Sequence, residues 1–325
     1  MLNRRFAIAA GVALLLSGAM SAPFAQTGDF PSRPITLVAP FPAGSVTDAV
    51  TRVLANALTQ SLGKPVIVEN KAGAQGTIGA AYVAKAKPDG YTLLVGSSVM
   101  FVANSLFKEL SYDPVASFTP VANVGSTAMM FMVSQSSPYR TVADLATAQR
   151  TSAQPVSMGY GSPSGQVAVA LFSTVTKSEP LGIAYRGIPQ ALTDMLGGQI
   201  QVAVVDIGSA MAQMNGQKAR ALAISSASRY EGAPDVPTLQ EAFPRASGTL
   251  ETLISVMAPA GTPEPIVASL NSAIRSAMAT TEVKARFQVL NTKVMPMDSK
   301  QLEERIRTDN PRWVELIKKA GIERQ

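Results

Sequence analysis

Along the chain, short apolar runs rich in β-branched residues alternate with longer stretches in which apolar positions recur every three or four residues. The run at 35–39 reads as a strand, 47–62 as a helix and 66–69 as a second strand. The order then repeats: 77–87 is a helix of small residues, Pro88-Asp89-Gly90 is a turn, and 91–96 is an apolar strand of the kind buried on both faces. Strand, helix, strand in this rhythm implies right-handed crossovers and a parallel sheet.

A second series opens with an extended run at 129–133. It continues with a helix near 141–149, strand 156–159, helix 166–176, strand 181–184, helix 188–196, strand 201–205 and a last strand at 221–225. The Pro-rich stretch 233–244 resembles surface connection. An apolar run at 253–257 follows, and helices at 264–278, 282–290 and 299–320 close the chain, with a return to the first lobe expected. The pattern therefore describes two α/β lobes, and 129–133 and 253–257 are candidates for the two crossings between them. Ordinary core strands explain the same two runs.

Length agrees with two lobes, since 325 residues exceed the usual size of one core. The N-terminus reads as an address: Arg4 and Arg5 precede an uncharged apolar run at 6–16, with small residues at Ala19, Ser21, Ala22 and Ala25 suiting cleavage. A leader at 1–25 is expected to be removed and the remainder exported, and no later run is long and apolar enough to span a bilayer. Removing the two arginines lowers the formal charge from +6 to +4, a modest excess that favours anionic ligands weakly and nucleic acid hardly at all.

The chain contains no histidine and no cysteine. That excludes disulfides, a lipid anchor on cysteine, Ser-His-Asp and Cys-His nucleophiles, and metal sites built on imidazole or thiolate. The one S-x-x-K spacing, Ser61 to Lys64, lies where a helix ends and away from any strand-end loop. The expectation is a binding protein rather than an enzyme, without cofactor or metal.

Ligands of open parallel sheets bind beyond the carboxyl ends of the strands, where loops feed helix N-termini with unpaired N–H donors. Four such loops stand out. Phe41, Ala43, Gly44, Ser45, Thr47 and Asp48 follow the first strand; Gly73 and Ala74 follow the second; Ser97 and Ser98 follow the third; Ser162, Ser164 and Gln166 follow the strand at 156–159. Tyr185 and Asp206 end two further strands, with Arg186 beside the former. Glycines give backbone access, and hydroxyls and amides orient an anion without burying a countercharge. Helix capping explains the same serines and Asp206, and Phe41, Tyr160 and Tyr185 fit either a pocket for an aromatic acid or core and rim.

At these loops the sequence resembles the Bug family, also called tripartite tricarboxylate transporter receptors or TctC-like proteins. The resemblance is carried by Pro31-Ser32-Arg33-Pro34-Ile35, Pro40-Phe41 through Asp48, Val68-Glu69-Asn70-Lys71-Ala72-Gly73, Lys87-Pro88-Asp89-Gly90-Tyr91, Tyr185-Arg186-Gly187, Pro234-Asp235-Val236-Pro237-Thr238-Leu239 and Ala258-Pro259-Ala260-Gly261-Thr262-Pro263. It implies a type II periplasmic binding-protein fold: residues 26–128 and 253–325 in lobe 1, 129–252 in lobe 2, a ligand cleft between them and a two-strand hinge. It further implies a monomer that captures a di- or tricarboxylate, an acidic amino acid or an aromatic acid and delivers it to a membrane permease, or alternatively presents it to a sensor kinase. Gln166 stands where relatives often carry histidine, Ser45 where a second glycine is common, and Leu253 where tryptophan is frequent.

Overall fold

The computed structural model describes residues 30–246, 249–319 and 321–324; the expected leader lies outside them. The chain runs β1 (Ile35–Ala39), α1 (Val46–Leu62), β2 (Val66–Asn70), α2 (Thr77–Ala84), β3 (Thr92–Ser97), a 3-10 segment (Ser98–Ser105) and β4 (Phe118–Ser134). It continues with α3 (Val142–Thr151), β5 (Ser157–Tyr160), α4 (Pro163–Thr176), β6 (Leu181–Ala184), α5 (Ile188–Leu196), β7 (Val202–Asp206), α6 (Ile207–Asn215) and β8 (Ala219–Ile224). It closes with α7 (Leu239–Ala242), β9 (Glu251–Pro259), α8 (Glu264–Ala279), α9 (Thr281–Val289), β10 (Lys293–Met297) and α10 (Ser299–Lys319).

The strands line up as β2-β1-β3-β9-β4-β7-β5-β6. β1, β2 and β3 are mutually parallel, as are β5, β6 and β7, as the alternation predicts. β4 joins the two sets. Its first half is flanked by β9 and β10, its second half by β7 and β8, all antiparallel to it. Ile35, Leu37, Val38, Leu93, Val95, Met130, Phe131, Met132 and Val204 are buried to within 1 % of completely, as central strands covered on both faces require.

Only 129–133 of this long strand is legible as a strand. The preceding Pro120, Asn123 and Gly125 read as breakers, yet β4 absorbs them with register shifts between Pro120 and Ala122 and between Asn123 and Gly125. The buried Asn123 is satisfied internally. Its amide donates to the carbonyls of Gly125 and Met295, and it accepts from Ser255 Oγ at 2.9 Å. β10 escapes notice because its five residues (KVMPM) include Pro296 and Lys293 and are only half-buried or exposed.

The second crossing differs from the expected run at 253–257, because β9 pairs only with β3 and β4 before the junction. β8 and β9 instead lie end to end along one edge of β4, and the chain leaves between them for residues 226–249. Ser225, fully buried, makes the join. Its N–H donates to Met129 O and its carbonyl accepts from Leu250 N, while its hydroxyl accepts from Met129 N and donates to Leu250 O. The excursion is not the surface connection its prolines suggest, since Ala233, Val236 and Leu239 are buried and Thr238 caps α7.

The last helix also departs from expectation. Leu302 and Ile306 pack against β1, β3 and β9 residues of the first set. Beyond Pro311, however, Trp313, Leu316 and Ile317 join the core of Phe131, Val133, Leu145, Val167 and Phe172. α10 thus spans the junction rather than returning wholly to the first lobe, and Pro311, which removes one helix hydrogen bond, falls at the handover.

The Ser225 arrangement generates a prediction. Ser225→Ala removes the hydroxyl from between a buried donor and a buried acceptor, so unfolding free energy should fall by about 1–3 kcal/mol. Urea denaturation measures it; a change within experimental error would show that the join does not depend on the hydroxyl.

Candidate ligand site

The register fixes where the strand ends meet. Ser97, the end of β3, pairs with Ile254, which pairs with Gly125 of β4. From the other direction β7 runs antiparallel to β4 and ends with Asp206 opposite Met129. The two parallel sets therefore point their carboxyl ends at one another along β4, from Gly125 to Met129. Four residues of strand make that interval about 13 Å, room for a small molecule between two sets of loops.

On the first-set side, α1 begins with Ser45 as cap, its hydroxyl accepting from Asp48 N at 3.2 Å. Asp48 is almost fully buried and its carboxylate is committed: it accepts from Gly44 N at 2.9 Å, Asn70 Nδ2 at 2.8 Å and Arg52 Nε at 3.1 Å. Asn70 also donates to Phe41 O, binding the β1–α1 loop to the end of β2. Ser45 and Asp48 thus shape the loop from within. Ala43 and Gly44 are exposed, and within the described residues nothing accepts from the N–H groups of Val46 and Thr47 at the helix start.

The β2–α2 loop packs on the first one, since a Cβ at Gly76 would stand 3.4 Å from Phe41 Cζ and 3.5 Å from Met100 Sδ. A hydrogen bond from Gly76 N to Gly73 O, 2.9 Å long, closes a turn whose central residues, Ala74 (φ 43°) and Gln75 (φ 53°), are both left-handed. Ordinary side chains avoid that region at a cost of about 1–2 kcal/mol each. Ser97 is buried at the end of β3. Ser98 is committed, its hydroxyl accepting from Leu253 N at 2.8 Å and so fastening the third loop to β9.

On the second-set side Ser162 caps α4 through Gly165 N at 3.1 Å, and Asp206 caps α6 through Ser209 N at 2.8 Å and Ser209 Oγ at 2.9 Å. Capping therefore accounts for Ser45, Ser162 and Asp206. Ser164 is buried in the first turn of α4 and Gln166 beside it is half-buried, its amide making no side-chain hydrogen bond within the described residues. Tyr185 donates to Asp194 Oδ2 at 2.8 Å; burial, then this carboxylate, push its hydroxyl up from the usual phenol range. A Cβ at Gly161 would lie 2.1 Å from the Gly187 carbonyl carbon, so the two loops touch backbone to backbone and the site tolerates no side chain there.

Three sizeable cavities lie elsewhere. One of about 740 Å³ sits between α8, the start of α9 and β10, one of about 640 Å³ between the 3-10 segment, the start of β4 and α10, and one of about 620 Å³ between α1 and the start of α9. None of the three is lined by a predicted site residue.

The sequence profile of the tripartite tricarboxylate transporter family receptor matches residues 50–322. The chain belongs to this family. Among solved relatives, the periplasmic binding protein BugD is 32% identical with a TM-score of 0.75, covering 91% of this chain and 100% of its own. MatC (Rpa3494) from Rhodopseudomonas palustris with bound malate is 31% identical, TM-score 0.73, covering 89% and 100%. R. palustris Rpa4515 with adipate is 28% identical, TM-score 0.79, covering 91% and 100%. The chain is thus a solute-binding receptor of the TctC/Bug type with the two-lobed α/β fold of periplasmic binding proteins. Among the described residues no helix is long and apolar enough to cross a membrane.

Gln75 is the residue of this receptor's loops that the sequence reading passed over. It follows the expected Ala74, and nothing in a lone glutamine between an alanine and a glycine announces a strained backbone or a shielded amide.

Asp48 yields a testable consequence of the loop network. Burial raises its carboxyl, but the Arg52 hydrogen bond, the Gly44 N–H, the Asn70 amide and the Arg52 charge outweigh that and hold it below the ordinary aspartate value. A carboxyl lowered in the folded state stabilises above its unfolded value, about 3.9, and loses that contribution as pH falls through the folded value. Asp48→Asn should therefore unfold about 1–3 kcal/mol more easily at pH 7, with the gap to the native protein narrowing below about pH 4. Urea titrations at pH 7 and pH 3 measure both; a gap that does not narrow would refute the charged network.

Proposed function

We propose that this receptor works in the periplasm as a monomer, its leader removed. It captures a small carboxylate by closing its lobes and delivers it to a tripartite tricarboxylate transporter permease without transforming it. The ligand is a di- or tricarboxylate, an acidic amino acid or an aromatic acid. The lobes are residues 26–128 with 253–325, and residues 129–252, with the end of α10 leaning across onto the second.

The observation that carries this reading is the convergence of two sets of strand carboxyl ends on Gly125–Met129 of β4. Around it lie backbone donors that capping does not use, such as Val46 N and Thr47 N. Helix starts of this kind combine unpaired N–H groups with partial positive charge, which suits an ionised carboxylate. The malate bound by MatC and the adipate bound by Rpa4515 support a carboxylic acid as ligand. A recognition set of backbone donors, hydroxyls and the Gln166 amide titrates nowhere near neutrality, so binding should be flat from pH 6 to pH 8 for an acid already fully ionised.

The test is thermal unfolding of ligand-stripped, refolded protein with succinate, malate, adipate, citrate, aspartate, glutamate and benzoate. An acid that binds the native state should raise the melting temperature in proportion to the logarithm of its concentration, reaching about 2.7 kcal/mol of stabilisation at a hundred times Kd, and should be recovered unchanged. Absence of any shift across the panel would overturn the carboxylate reading.

A further inference from the structure

Gln75 combines two unfavourable features in one residue. Its backbone is left-handed, at φ 53° and ψ 30°, in a run of four positive φ angles that Gly73, Ala74 and Gly76 share with it. Its amide oxygen is shielded from water and has no hydrogen-bond partner among the described residues. Among the described residues the other shielded side-chain oxygen without a partner is the Tyr112 hydroxyl, which lies in the 111–117 segment before β4, stacked edge-on against Phe118, and not in a strand-end loop. Strain and an unsatisfied buried polar atom persist where the surrounding structure holds them for a use. At this position glycine would remove both.

We propose that Gln75 is a specificity-determining residue of the ligand site, its amide oxygen accepting a hydrogen bond from a donor that the bound acid carries in addition to its carboxylates. The inference rests on the reading of the facing strand ends as a carboxylate site and narrows it. An ionised carboxylate offers only acceptors, so it cannot satisfy the Gln75 oxygen. A hydroxyl or an ammonium group can. A plain dicarboxylate leaves the oxygen unpaired and is disfavoured for that reason, as sites built to hydrogen-bond a substituent disfavour ligands that lack it. The class of ligand is therefore a hydroxy or amino acid of small size, and the loop donors beside Gln75 remain free for its carboxylate.

Succinate, malate and aspartate share a four-carbon dicarboxylate skeleton and differ at one carbon, which bears hydrogen, hydroxyl or ammonium. Calorimetric titration of the ligand-stripped native protein should give malate or aspartate about tenfold tighter binding than succinate; which of the two leads identifies hydroxyl or ammonium as the donor. Gln75→Met keeps the side chain's length and removes its hydrogen-bonding atoms, so it should abolish that preference while leaving the succinate affinity within about twofold. Gln75→Gly should also lose the preference and should melt no lower than the native protein, because it relieves the left-handed strain, which separates loss of selectivity from misfolding. Equal binding of all three acids by the native protein, a preference that survives Gln75→Met, or a substitution that weakens succinate and malate alike would each overturn this role and leave the carboxylate site standing. Failure of every carboxylate to bind the native protein would overturn the underlying site reading itself.

Discussion

Strand β4 has partners on both edges, β9 and β10 before the junction, β7 and β8 after it. A strand held on both edges cannot slip in register without turning every side chain to the opposite face, and its neighbours' lengths are set against it. The antiparallel orientation of β7 and β9 to β4 then leaves no freedom in where the parallel strands end. β3, two strands from β4 through β9, must run toward the junction, and β7 must run toward it from the far side. The meeting of carboxyl ends is therefore a consequence of strand direction. The loops that fill the interval inherit their position from the sheet, so a binding site can vary its chemistry without touching the scaffold.

Within those loops the polar side chains divide by what already holds them. Ser45, Ser162 and Asp206 close helix starts, Ser98 ties a loop to Leu253 N, and Asp48 is engaged by Gly44, Arg52 and Asn70. These groups fix the backbone. What remains for a ligand is the backbone itself together with the hydroxyls of Thr47, Ser97 and Ser164 and the amides of Gln75 and Gln166, groups that orient an acid without a formal positive charge. Such a site does not incur the desolvation of a buried cation, and it discriminates through the number and placement of donors and acceptors.

The alternation of strands and helices was readable because periodicity reports burial: β1, β6 and α5 fall where the sequence places them, and the parallel sets follow from their spacing. The parts that were not readable share a physical reason. The first half of β4 keeps Asn123 and Ser255 in a dry core by pairing them with each other, a partnership 132 residues apart that no local pattern reveals. β10 is a half-exposed strand with a proline in it. The 233–244 excursion looked solvated because prolines mark turns, yet its apolar residues are buried. For the site, the loops were legible because glycines and hydroxyls cluster after strands. Which serine caps and which glutamine is shielded depends on rotamers and on neighbours from other elements, and Gln75 looked like an ordinary loop residue until its φ and its amide environment were seen.

The contacts across the junction also bound how a clamp of this design can move. Tyr230 donates to Asn291 Oδ1 at 3.1 Å, and Lys293 Nζ reaches Ser228 Oγ at 3.1 Å. Half-exposed contacts of this kind are each worth little in water and can exchange with solvent as the lobes shift. The join at Ser225 and the Trp313, Leu316 and Ile317 patch of α10 are different, being buried and apolar or fully hydrogen-bonded. Separating them would expose core. In the proposed clamp, closure would have to bend about β4 and the β8–β9 join, with α10 yielding at Pro311, where a helix hydrogen bond is already missing. A ligand can bias such a bend only by the difference between its contacts in the two positions. That assigns selectivity to groups completed on closure, and affinity common to both positions to the loop donors that one lobe provides alone.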